Sequence, residues 1–298
     1  NEGGDINVVS LFGDVNLHQS KVQTNASLGR GGTVNINAKQ NIFLIDSNLY
    51  ARGSPEGGNV TILSSANDVN LKSTVVQTNG STGRGGTLDI KAKKDIHLID
   101  TYLNAIGSTE GGNVTILSIS NSVNLKSTVV QTNSSTGRGG TILLDAHNNI
   151  TINSSLQTNS AKNTAGTIVL VANHILVQQN SIIEAKGALG GGTILIGGSW
   201  QNSNPNIRQA ITTTAEAGSV IDASATENGD GGTVVLWSDI YDVNSITVAK
   251  GTIAAEAGFL GGNGGNIETS GAILKLSGIS ISTNSIHGQT GLWLLDPT

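Results

Sequence analysis

Paired carboxylates are the first place to look for chemistry in this chain, because acid–base catalysis and divalent-cation binding both need several on one face. The best pair is Asp46 and Asp100, 54 residues apart. Asp239 and Asp242 lie closer, with no Arg or Lys beside them to complete a site. The five histidines, His18, His97, His147, His174 and His287, show no metal-ligand spacing and read as surface residues. Cysteine is absent, which removes disulfides, thiolate metal sites and cysteine nucleophiles. The expectation is a chain with no catalytic residue, no metal site and no cofactor.

Other residues bear on binding. Arg30, Glu56, Arg84, Glu110 and Arg138 each stand just before a glycine pair and alternate in sign. They read as a solvated charge row that fixes register, because a slipped stack would set like charges together. Lys91, Lys93 and Lys94 form a small basic spot, read as a solvated corner. Asn-x-Ser/Thr sequons recur at Asn25, Asn59, Asn79, Asn113, Asn133, Asn149 and Asn153, as chance gives in an Asn- and Thr-rich chain. Thr24, Thr78 and Thr132 recur only in alternate repeats, whereas an ice-binding row would want threonine in every one. The candidate binding surface is Trp200, Arg208 and Trp237.

These residues are positioned by a repeat. The run VNLKSTVVQTNGSTGRGGT at residues 69–87 returns at 123–141 with one change, and more loosely at 15–33, so the period is 54 residues. Glycine pairs divide each period in two, beginning at Gly3, Gly31, Gly57, Gly85, Gly111 and Gly139, so one coil is 26–28 residues. Three short strands with period-2 alternation fit inside each coil. The first carries Val34 and Ile36, then Val60 and Ile62; the second, Ile42 and Leu44, then Val69 and Leu71; the third, Leu49, Val76 and Leu103. Columns of like aliphatics are what a solenoid interior needs, since each coil packs only on its neighbours. The fold class expected is all-β, a right-handed parallel β-helix of about ten coils. The paired glycines are expected to supply positive φ at a tight corner. Asp46 and Asp100 then lie two coils apart, about 9.6 Å, with Ser73 between them.

Composition agrees. Glycine is 40 of 298 residues and aromatics are 3%, so the core must be narrow and aliphatic. A net charge of −5 with scattered cations argues against nucleic acid. No apolar run is long enough for a membrane span. No signal peptide is seen at the N-terminus, and the chain reads as a piece of something longer. Residues 1–190 form the regular repeats. Residues 191–298 continue them, with an insertion near 199–217 and a glycine-rich corner near 261–265. In the strand at 233–237, Val234 and Leu236 turn inward, so Trp237 should point outward.

Three further pieces carry a resemblance: residues 229–239 (GDGGTVVLWSD), 261–271 (GGNGGNIETSG) and 291–298 (GLWLLDPT), together with the GGTV and GGNV coil starts. Here the chain resembles the filamentous-haemagglutinin-like exoproteins of bacterial two-partner secretion. The resemblance implies a β-helical shaft, export through a dedicated outer-membrane transporter, a secreted or cell-surface location and service as an adhesin. The family's N-terminal secretion domain is not recognisable in the sequence. The expected function is a structural and adhesive segment that attaches to host-cell or matrix glycans, proteins or exopolysaccharide, without enzymatic activity. The alternative is a carbohydrate-binding or carbohydrate-cleaving β-helix.

Overall fold

Every repeat closes into one turn of a parallel β-helix. The computed structural model describes residues 2–297; Asn1 and Thr298, the outer ends of the two stretches named above, lie outside them. The first strand of each coil stacks into an eleven-stranded sheet running from Asp5–Ser10 to Leu292–Pro297, giving eleven levels where about ten were expected. The second and third strands form two further columns, from Val15–His18 to Ile273–Lys275 and from Lys21–Gln23 to Ser280–Ser282. The two columns fuse into one sheet because Val123–Gln131 and Asn149–Gln157 run through the corner between them. Among the described residues the only helix is a single 3₁₀ turn, Trp200–Asn202.

Register sets like on like. Val34 lies over Val60 and Ile36 over Ile62; Ile96 lies between Val69 and Val123. Between the two end coils the inward members of each column are buried and make one continuous core, against which partly buried Val8, Leu17, Val22, Ile281 and Trp293 pack at the ends. A parallel ladder repeated in register is why no coil needs a thick core of its own.

The corner glycines work differently from the expectation. None of the coil-start pairs named above has positive φ. They are required by close approach: a Cβ on Gly57 would fall 1.8 Å from the Thr78 carbonyl oxygen, and one on Gly58 2.0 Å from that of Gly32. The chain folds back on itself here, with Gly58 N–H donating to Ala51 at 2.6 Å and Gly86 N–H to Thr78 at 2.6 Å. Positive φ belongs instead to the corner between second and third strands, at Gln19, Asp46, Ser73, Asp100 and Ser127, all between 48° and 50°. Short polar side chains tolerate that conformation better than most. The next residue turns inward and satisfies the corner: Thr74 Oγ1 donates to the carbonyls of Leu44 at 2.9 Å and Lys72 at 3.0 Å.

The alternation of 28- and 26-residue coils follows from two of the corners. The backbone closure takes eight residue steps from Thr24 to Gly32 but seven from Ala51 to Gly58. The corner after the first strand gains the other residue, with seven positions from Ile62 to Val69 against six from Ile36 to Ile42. The insertion in the second half is shorter than expected. Thr212–Ala215 pairs with His174–Val177 as an ordinary second-column strand, so the excursion occupies about residues 197–211 and not 199–217. Polarity had disguised this TTTA strand, whose Thr213 is buried and donates to the Trp237 carbonyl.

Candidate functional site

Asp46 and Asp100 hold the same corner position two levels apart, with Ser73 between them, and all three have positive φ. His18 Nε2 lies 3.6 Å from Asp46, on the surface. Asp239 and Asp242 cap their own turn through the backbone N–H groups of Tyr241 and Asn244. Among the described residues no three His, Cys, Asp or Glu side chains converge as a metal would require.

The charge row lies along one corner, where backbone bridges join Glu56 to Arg84, Arg84 to Glu110 and Glu110 to Arg138. The side chains pair in doublets, Arg30 with Glu56 at 3.6 Å and Arg84 with Glu110 at 2.8 Å. Arg138 instead donates to Thr164 Oγ1 at 3.2 Å. All four paired side chains are at least 40% exposed, which limits each pair to about 1 kcal/mol or less.

Trp200, Arg208 and Trp237 do not form one exposed platform. Trp237 faces outward by strand alternation, yet only 1% of it is exposed. The excursion lies over it as a strap. A Cβ on Gly198 would fall 2.4 Å from the indole Cγ, and the indole N–H donates to Gln209 Oε1 at 2.8 Å. Trp200 is half-buried in the 3₁₀ turn. Arg208 is a tether: its guanidinium donates to the Ala146 carbonyl at 2.5 Å and meets Asp145 at 3.3 Å, two levels back. At the other end the Gln201 N–H donates to Glu268 Oε2 at 2.8 Å, two levels forward. The strap therefore ties the sixth level to the tenth, across about 19 Å at the ~4.8 Å strand spacing.

Glu268 was not foreseen. It sits on the outward face of its strand and is fully buried, with Ser270 Oγ donating to Oε1 at 3.0 Å. Burial pushes its carboxyl above the ordinary range, against the lowering effect of the Gln201 and Ser270 hydrogen bonds. Burial also raises Asp145, with Arg208 acting in the opposite sense.

Asn and Asp side chains form a second set of unforeseen contacts. Asp14, Asn41, Asp68 and Asp95 each accept, through Oδ1, the backbone N–H at the same place one coil on, at 2.8 to 3.3 Å. Asn25, Asn79, Asn133 and Asn159 do so at another corner. Three sequon asparagines thus spend their carbonyl oxygens on the stack. Thr24, Thr78 and Thr132 point inward and are buried, which removes them as an ice-binding row. Lys93 and Lys94 are exposed at a corner.

This geometry defines a parallel β-helix held by like-on-like columns and braced on one face. No family model and no curated protein matches the chain. Among solved structures, the chain is similar to the HMW1 secretion domain from Haemophilus influenzae, with a TM-score of 0.53 and 16% identity over 99% of this chain and 94% of that one. At that identity the likeness is one of fold. No sequence motif marked a secretion domain, so the likeness is carried by the backbone path alone.

Proposed function

We propose that the chain is a structural and adhesive shaft segment of a large secreted bacterial surface exoprotein, of the filamentous-haemagglutinin-like kind. The observation that carries the reading is the uninterrupted parallel ladder of eleven levels. Such a ladder makes length from repetition and displays long polar corners to solvent. Two further observations support it: the order of the C-terminal motifs, and a fold shared end to end with a domain named for secretion. In this reading the parent protein leaves the cell through a dedicated outer-membrane transporter. The partners are host-cell or matrix glycans and proteins, or exopolysaccharide, and the segment is not an enzyme.

The test is to display the chain on a non-adherent bacterium and measure attachment to cultured cells, matrix and polysaccharide films. Attachment above that of an empty display strain supports the shaft. The same chain is incubated with a panel of acidic and neutral polysaccharides. Depolymerisation would overturn the shaft in favour of the carbohydrate-cleaving alternative.

A further inference from the structure

One corner of the shaft carries a long open groove with unneutralised positive charge at one end. It measures about 770 Å³ and runs along the axis from Asn25 in the first level to Ser135 in the fifth. Its floor is the bridge ladder Gly53–Gly80–Gly107, and a Cβ on any of the three would fall within 2.0 Å of a backbone carbonyl oxygen. Ser27, Ser81, Ser108 and Ser135 line it in the first, third, fourth and fifth levels, with Arg52 in the second. Arg52 lies in its wall with the guanidinium carbon 4.4 Å from the centre of the Tyr50 ring; Lys21 Nζ is 5.9 Å from the same ring. Both cations are exposed, and among the described residues neither has a carboxylate partner. Farther along the corner the groove resumes beside Asn133, Asn159 and Lys186. There the cation is spent, with Lys186 held 3.2 Å from Asp222 and 4.0 Å from Glu184.

We propose that the Asn25–Ser135 groove is a binding site for an extended anionic polysaccharide, anchored by Arg52 and held in place by the Tyr50 ring. The proposal deepens the adhesive reading by naming its site and ligand class. The guanidinium presents a planar fork of donors that matches a carboxylate or sulfate, and stacking on Tyr50 fixes its orientation before a ligand arrives. A polar side chain at every level, about 4.8 Å apart, with serine hydroxyls in four of the five and Arg52 in the second, suits a straight polymer whose own polar groups repeat. A peptide strand is a poorer occupant, because the strands beside the groove are paired on both sides and offer no free edge. Nucleic acid is poorer still, since two cations in a chain of net charge −5 cannot neutralise a phosphate backbone.

The test measures binding of the whole chain to polygalacturonate, hyaluronan and heparin oligosaccharides, with dextran as the neutral control. The expected result is salt-sensitive binding to at least one acidic probe and none to dextran. Arg52→Gln, which keeps the stem and loses the charge, should weaken binding roughly tenfold, the scale of one charge-assisted hydrogen bond. Lys94→Ala should leave it unchanged, and matched melting temperatures show that each variant is folded. Tyr50→Leu should weaken binding less than Arg52→Gln does. No binding to any acidic probe, equal binding by Arg52→Gln, or equal affinity for dextran would each overturn the proposal. Attachment of the displayed wild-type chain reads the shaft separately. If attachment fails while Arg52-dependent binding stands, the shaft reading goes and the groove stays; the reverse result removes the groove alone.

Discussion

At the scale of single residues, the molecule separates positions that read from the sequence from positions that only the stack defines. Leu98 belongs to the first kind. Its column is visible by alternation, it is fully buried, and an aspartate there would set a charge between aliphatic neighbours. Leu98→Asp should lose about 3–5 kcal/mol or more, the cost of an uncompensated buried charge, whereas Lys94→Ala should melt with the wild type. Glu268 belongs to the second kind, since nothing local reveals that residues 67 positions earlier will cover it. Its folded carboxyl titrates above its unfolded value, so the native state carries a burial penalty at neutral pH. That penalty is relieved as pH falls through the raised value towards the unfolded one, and stability rises over the same window. Glu268→Gln keeps an acceptor for the Gln201 N–H and removes the charge. It should raise the melting temperature at neutral pH and flatten the dependence on pH between neutrality and the ordinary carboxylate range. A lower melting temperature at every pH would show that the ionised carboxylate is itself the better tether.

Elements show the same division. First-column strands follow from Val, Ile and Leu two apart after each glycine pair, and the structure places them where alternation does. Thr212–Ala215 was hidden because its inward residue is Thr213, whose buried hydroxyl is satisfied by the Trp237 carbonyl. The outward turn of Trp237 was legible in the strand pattern; its burial was not, because cover comes from a segment with no periodicity of its own. The strap is also the element that departs from nearest-neighbour packing, joining levels two apart on either side through Arg208 and Gln201. Replacing residues 200–209 by a short Gly-Ser turn should expose Trp237, shift the emission of the remaining tryptophans to longer wavelength and lower the melting temperature. An unshifted spectrum with unchanged stability would mean that the strap does not brace the face it covers.

For the whole molecule, the 54-residue period makes a strong claim: stability and length are sums over equivalent coils, each supported only by its neighbours outside the strapped region. The period was legible because VNLKSTVVQTN recurs almost unchanged, and it carries the Thr/Ala alternation, the long and short corners and the charge doublets with it. Deleting residues 69–122 tests this most directly. The cut joins Asp68 to Val123, so the sequence runs on as VNLKSTVV with every column kept in phase, the Arg30–Glu56 pair retained and the strap untouched. Unfolding and solution scattering are then measured against the intact chain. The account predicts a protein that still unfolds cooperatively and is shorter by about 9.6 Å, two steps of ~4.8 Å. Loss of cooperative unfolding, or a length that does not fall by two coils, would contradict it.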